Sequence, residues 1–119
     1  MSDQVSWMLE LDIHEGLEGD LRKLAAEMVA ATKANEPGTL DYEWSISADG
    51  KQCHIFERYV DSAALMTHAA TFGEKFAARF LELLTPVRMV VYGSPSAAVQ
   101  DAIADFRPVY MQSLNGFSR

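Results

Sequence analysis

His68 stands where an imidazole could exchange a proton with a bound molecule. It follows Leu65 by three residues and precedes Phe72 by four, which places it at the edge of the apolar stripe of a predicted helix, facing the groove between helix and sheet. A histidine there can act as a general base near neutral pH. The same position also suits a boundary histidine bonded to a backbone carbonyl, and the residue pattern by itself favours that structural interpretation.

Aromatic side chains with a polar edge could hold a flat substrate beside this histidine. Trp44 and Tyr59 carry an N–H and an O–H on apolar rings, which suits binding of an aromatic molecule through its oxygen. The remaining candidates for substrate binding or for the pocket wall are Trp7, Tyr42, Phe72 and Phe76. Plain core packing is the simpler explanation for each of them taken singly.

Glu57 is an acidic residue next to positions that the pattern predicts to be buried. A buried carboxylate needs a partner, which Arg58 or Arg88 could supply from the same or a facing subunit. We therefore interpret Glu57 with Arg88 first as a structural or interface ion pair, and only second as a catalytic group.

Metal ions and nucleotide cofactors have no visible binding motif. The three histidines form no His-x-His or His-x-x-x-His pair, and Cys53 and His54 are strand neighbours that point to opposite faces. The sequence also lacks a Gly-x-Gly-x-x-Gly motif and a phosphate loop. We expect no metal site and no cofactor.

Length and composition indicate one globular domain over residues 1–119. The chain is 49% hydrophobic and 23% charged, with a net charge of −7, which argues against nucleic acid and anionic membrane surfaces as partners. A single cysteine, no basic leader in the first residues and no apolar run near the ~20 residues that span a bilayer predict a cytoplasmic protein.

Hydrophobic periodicity predicts the order strand, helix, strand, strand, helix, strand. The predicted strands are Val5 to Ile13, Thr39 to Ala48, about Gln52 to Val60, and Val87 to Tyr92; one helix runs from Leu17 to before Asn35, and another begins after Asp61-Ser62. Whether the second helix continues through Gly73 is left open. Right-handed crossovers fold this order into an α+β, ferredoxin-like βαββαβ domain, a four-stranded antiparallel sheet with both helices on one face.

The core of the domain is predicted at about residues 4–94, followed by a C-terminal extension at about 95–119. Ser96 can cap a short helix there, and Val109–Met111 could be extended. The open face of the sheet would carry apolar residues such as Met8, which predicts a homodimer. A monomer whose C-terminal helix covers the sheet is the alternative.

Three segments together carry a family resemblance: Glu36-Pro37-Gly38-Thr39-Leu40, Ile55-Phe56-Glu57-Arg58-Tyr59, and Asp61-x-x-Ala-Leu-x-x-His68. In this order and spacing they resemble the antibiotic biosynthesis monooxygenase family. The resemblance implies two sheets packed face to face as a dimeric α+β barrel. It also strengthens His68 as the catalytic base, because a histidine recurs at that position of the family's motif.

The activity that the resemblance implies is cofactor-independent monooxygenation of a small phenolic or quinol-type aromatic. Such a substrate reduces O₂ itself once deprotonated, so the protein supplies a dry pocket, a base and oriented donors. The alternatives are a non-catalytic small-molecule-binding or stress-related protein of the same fold and a haem-binding relative. The haem alternative is disfavoured because residues 76–79, where a haem-ligating histidine would fall, contain none.

Overall fold

A computed structural model describes residues 3–119. The prediction that the first residues form no leader therefore falls in part outside the described residues. The strands are β1 Val5–Ile13, β2 Thr39–Ile46, β3 Gln52–Tyr59, β4 Leu84–Gly93 and β5 Val109–Met111, and the helices are α1 Glu18–Asn35, α2 Ser62–Thr71, α3 Ala77–Leu83 and α4 Ala97–Ala102. A π-helical turn, Phe72–Phe76, joins α2 to α3, and a 3-10 turn, Ala104–Phe106, follows α4.

The sheet is mixed and five-stranded, in the order β2-β3-β1-β4-β5. The four strands of the βαββαβ core are antiparallel to their neighbours, and this ferredoxin-like core confirms the predicted α+β class. The predicted sheet of four antiparallel strands is wrong as a whole. The C-terminal extension passes through α4 and returns as β5, which pairs with β4 in parallel, because a helical crossover brings the chain back in the same direction.

Strand β1 runs through the centre of the sheet and builds the core. Its alternate residues from Val5 to Ile13 are buried, because successive side chains point to opposite faces. They pack against the buried stripe of α1, which consists of Leu21, Leu24, Met28 and Thr32. The β2–β3 hairpin turns at Gly50, whose φ of +72° few other residues adopt.

The chain between α1 and β2 passes very close to α2. A Cβ on Gly38 would lie 2.6 Å from the Cβ of Ala64, so glycine is required here for the close approach of the two backbones. The sequence pattern had indicated a turn at this glycine, and the turn is present. The approach brings Glu36, just after α1, over the side of α2 that carries His68.

Helix α2 begins as predicted at Asp61, whose carboxylate accepts a hydrogen bond of 2.8 Å from the N–H of Ala64. The helical run continues past Gly73, but as a π-helical turn that widens the helix before α3. Such turns are frequent at functional sites. This one places Phe72 and Gly73 beside the space between helix and sheet.

The C-terminal extension is ordered by packing at its start and exposed at its end. Ser96 caps α4 by accepting from the N–H of Val99, and Val99 and Ile103 are buried in the core. Leu114 and Phe117, by contrast, are 98% and 82% exposed. Within residues 3–119, none of the helices is both long and apolar enough to cross a membrane.

Candidate active site

A cavity of about 230 Å³ lies between the sheet and the helices. Its wall is largely apolar and comes from β1, β3, the π-helical turn and the turn after α4, where Ile103 and Phe106 close one side. Four of its residues carry polar side-chain atoms: Trp7, Tyr42, Glu57 and His68. An apolar space with a few converging polar groups is the usual form of a small-molecule site.

A wider cleft of about 770 Å³ lies at the far end of β1, between His14, Glu18 and Lys51. It is more open to solvent and its wall is predominantly polar, so a charged group there is screened by water. We therefore place the candidate chemistry in the smaller, apolar cavity.

His68 is the centre of this site, and both of its ring nitrogens face carboxylates. Nδ1 lies 2.7 Å from Oε1 of Glu36, and Nε2 lies 3.3 Å from Oε1 of Glu57. The histidine is only 7% exposed, and the Tyr42 and Tyr59 rings pack on it at centroid distances of 5.1 and 5.7 Å. The shorter contact to Glu36 orients the ring and favours a proton on Nδ1.

Glu36 is positioned by the end of α1. Its backbone N–H donates to the carbonyl of Thr32 at 2.9 Å and so closes the last turn of the helix. Its side chain is buried and also accepts from the hydroxyl of Thr39 at 3.4 Å. Thr32 therefore fixes the backbone of Glu36, and Thr39 contacts the carboxylate that binds the imidazole.

Glu57 is a buried carboxyl group on β3, 4% exposed, and it accepts a hydrogen bond from the hydroxyl of Tyr59. Burial raises its pKa, while His68, the hydrogen bond from Tyr59 and the nearby indole of Trp7 lower it in part. Burial and the nearby Glu57 charge likewise raise the pKa of Tyr59 far above its usual range, so its hydroxyl stays protonated.

One proton lies between His68 Nε2 and Glu57 in either protonation state that satisfies the contacts. If the ring is an imidazolium, it donates to both carboxylates; if it is neutral with Nδ1–H donating to Glu36, then Glu57 must be protonated to donate to Nε2. His68 and Glu57 therefore share a proton at the cavity wall.

The structure brings together only some of the predicted site residues. His68, Trp7, Tyr42 and Phe72 line the same cavity. Tyr59 is fully buried and hydrogen-bonded to Glu57, outside the cavity wall.

Two more predicted binding residues, besides Tyr59, lie outside the cavity wall. Phe76 is buried in the core cluster. Trp44 lines a separate surface groove with Leu21 and Arg22, and its ring contacts Phe80 at a centroid distance of 6.1 Å. Trp44 lies two residues further along β2 than Tyr42. In the sheet, Tyr42 pairs with Glu57, whereas Trp44 pairs with Ile55.

The ion pair predicted between Glu57 and an arginine is not formed within the residues that the structure describes. Arg88 pairs in register with Glu10 on the exposed face of the sheet, whereas Glu57 points toward the helices, and Arg58 bonds to Asp41. The partners of Glu57 are His68 and Tyr59. Strand alternation explains the difference, because residues on opposite faces of one sheet cannot pair.

Sequence reasoning missed Glu36 as a functional candidate. The sequence pattern indicates Glu36 only as the start of the Glu-Pro-Gly turn. Nothing in its spacing links it to His68, which is thirty-two positions away. The available signal was an acidic residue at the end of a helix, where a carboxylate is unfavourable beside the helix dipole. Such a residue suggests a partner elsewhere in the fold.

The class of protein is thus a ferredoxin-like α+β domain with a buried histidine–carboxylate centre at a small apolar cavity. The chain belongs to the antibiotic biosynthesis monooxygenase family, whose sequence profile matches residues 5–78, and the resemblance noted above is confirmed. No curated protein sequence matches the chain.

Solved structures with the same fold extend this comparison. MupZ from Pseudomonas fluorescens is 25% identical, with a TM-score of 0.87 over 99% of this chain and 96% of that one. Rv0793 from Mycobacterium tuberculosis is 30% identical, with a TM-score of 0.66 over 80% and 98%. SnoaB, a cofactor-independent oxygenase from Streptomyces nogalater, is 18% identical, with a TM-score of 0.66 over 81% and 97%. The match to MupZ includes the C-terminal extension.

Proposed function

We propose that this protein is a cofactor-independent monooxygenase that oxidises a small phenolic or quinol-type aromatic with O₂. The observation that carries the proposal is the buried His68, held between Glu36 and Glu57 at the wall of an apolar cavity. A base in a dry pocket is what this chemistry requires of a protein, because the electrons come from the substrate. Membership of the family and the shared fold with SnoaB agree with it.

In this mechanism the pair formed by His68 and Glu57 first takes the hydroxyl proton of the substrate. The resulting phenolate gives one electron to O₂, and the superoxide and substrate radical combine at a ring carbon that bears hydrogen. The peroxide takes back the proton from the pair, and loss of water leaves a carbonyl at that carbon. One oxygen atom stays on the substrate and the other leaves as water.

Oxygen uptake tests the proposal directly. Purified protein with a one-ring quinol, in buffer with EDTA and no flavin, should consume O₂ above the rate of spontaneous oxidation, and ¹⁸O₂ should place one labelled atom in the product. Heat-denatured protein is the control for autoxidation. Absence of uptake above this control across one-ring and two-ring quinols would refute the proposal, and binding without uptake would favour the non-catalytic alternative.

A second candidate, general-base hydrolysis, is favoured by one contact. The 2.7 Å approach of Glu36 to His68 Nδ1 is the arrangement in which a carboxylate orients a hydrolase histidine, and no Ser, Thr or Cys lines the cavity in the described chain. The base would then activate a water molecule against an ester. Turnover of a small aryl ester under strict exclusion of O₂ would identify this activity.

We further propose that the protein acts as a homodimer. Two sets of apolar side chains support an interface: Leu114 and Phe117, exposed in the C-terminal extension, and Met8 and Phe56, half-buried on the open side of the sheet. Light scattering at micromolar concentration should give twice the chain mass of 13.2 kDa. The double variant Leu114→Ser/Phe117→Ser should shift the protein toward monomer, whereas a single-chain mass for the wild type would contradict the proposal.

A further inference from the structure

The indole nitrogen of Trp7, Nε1, is a buried polar atom at the cavity with no role in the proposed reaction. The Trp7 side chain is 6% exposed and lines the cavity, and its indole N–H has no hydrogen-bond partner among residues 3–119. A buried tryptophan N–H normally finds an acceptor, and an orphaned donor in a site wall calls for an explanation. The simplest one is an acceptor supplied by a ligand.

The position of Trp7 fixes where that acceptor would lie. Trp7 on β1 pairs in register with Glu57 on β3, so the indole and the carboxyl group stand side by side on the face that points to the cavity. The N–H is near enough to Glu57 to favour its charged form, yet it forms no hydrogen bond with the described residues. An oxygen placed beside Glu57 can therefore meet both groups.

The ring of Trp7 is held in place by its neighbours. It makes an edge contact with Tyr59 at a centroid distance of 5.6 Å, and Tyr59 in turn donates to Glu57. Donor, carboxyl group and imidazole thus belong to one packed cluster, which keeps their relative positions when a ligand enters.

The cavity limits the size of the ligand. An apolar cavity of ~150 Å³ is enough to hold benzene, and the space here is about 230 Å³. One substituted ring or a compact pair of fused rings fits this volume. At the same ratio of ring size to space, a system of three fused rings needs more than this volume.

We propose that Trp7 N–H and the Glu57–His68 pair together bind the oxygen of a phenol with one ring or a compact pair of rings. The pair removes the phenolic proton, and the same oxygen, now an anion, accepts the indole N–H. A hydrogen bond to a charged oxygen is stronger than one to a neutral oxygen, so Trp7 stabilises the phenolate relative to the phenol. This inference rests on the proposed function for its substrate class and adds a positioning donor and a size limit.

Bound 4-nitrophenol tests the inference, because its phenolate absorbs visible light and its phenol form does not. The phenolate fraction of the protein-bound probe is measured against pH under nitrogen. In Trp7→Phe, which keeps an aromatic ring but removes the N–H, the apparent pKa of the bound probe should rise by about one unit, a tenfold loss of phenolate preference. A titration that coincides with the wild type would overturn the inference.

The chain offers a matched control in Trp44. Its indole N–H is also buried and has no hydrogen-bond partner in the described part of the chain, but it lies outside the cavity. Trp44→Phe should leave the titration of the bound probe unchanged, and an equal shift in both variants would overturn the assignment to Trp7.

Two further measurements keep the inference testable if Trp7→Phe does not fold. In the ¹⁵N-labelled wild type, the indole N–H resonance of Trp7, assigned through Trp44→Phe, should move downfield on binding 4-nitrophenol. A hydroxyanthracene should bind at least tenfold more weakly than 4-nitrophenol. An unmoved resonance, tight binding of the three-ring compound or no binding of 4-nitrophenol to the wild type would each overturn it.

These results separate the inference from the proposed function. A Trp7-dependent phenolate shift without O₂ uptake by any quinol would retain the binding site and reject the oxygenase. Uptake of O₂ with no Trp7-dependent shift would retain the oxygenase and reject the role of Trp7 in binding the phenolate.

Discussion

Replacing His68 with glutamine is expected to lower turnover by about 10²–10⁴-fold, the usual contribution of a positioned general base. Glutamine retains hydrogen-bonding atoms near Glu36 and Glu57, so the buried carboxylates keep partners, but an amide cannot take a proton at neutral pH. The loss should therefore appear in kcat, measured by O₂ uptake with a quinol, more than in KM.

His54→Gln is the matched control for this variant. His54 also lies near a carboxylate, with Nε2 at 3.8 Å from Oε1 of Glu10, but its half-exposed side chain is on β3, away from the cavity. It should retain wild-type turnover. A His68→Gln enzyme that is folded by circular dichroism and within about threefold of the wild-type rate would remove His68 from the mechanism.

Replacing Glu57 with glutamine is expected to change how stability depends on pH. Burial raises the pKa of Glu57 above its ordinary value of 4.5, so above that pH the folded state holds a proton that the unfolded state has released. The free energy of unfolding of the wild type therefore falls as pH rises from 4.5 toward the raised pKa of Glu57 in the folded state. Glutamine has no such proton, and the variant should gain stability relative to the wild type at up to about 1.4 kcal/mol per pH unit.

Urea unfolding of both proteins between pH 4 and pH 8 measures this difference, and other titrating groups largely cancel in the comparison. Glu43→Gln, which removes an exposed carboxylate from the adjacent strand, is the control for a change in charge alone. A difference between Glu57→Gln and wild type that stayed constant or shrank with rising pH would mean that Glu57 is ionised against an imidazolium.

The local elements followed from the sequence because each rests on interactions between near neighbours. Alternation along Val5–Ile13 gives a strand with one buried face, and the side chains of Asp61 and Ser96 satisfy N–H groups within three residues of themselves. The order of those elements then leaves few topologies, since crossovers have a fixed hand. Helical phase was also enough to place His68 at the wall of the groove.

The pairing of the edge strand β5 could not be predicted from local sequence patterns. Val109–Met111 is short, and all three of its residues are exposed, so they carry no pattern that selects a partner strand. Its pairing with β4 depends on how α4 packs through Val99 and Ile103, which is a property of the assembled core.

The partners of the candidate base were also decided only by tertiary structure. Glu36 and His68 are thirty-two residues apart and meet because Gly38 lets the chain after α1 pass against α2. Glu57 was expected to pair with an arginine, but the pleat turns it toward the helices and away from Arg88. The sequence by itself determined the elements and the family, because these depend on local pattern. The charges around His68 depend on contacts between distant segments, which exist only once the core has packed.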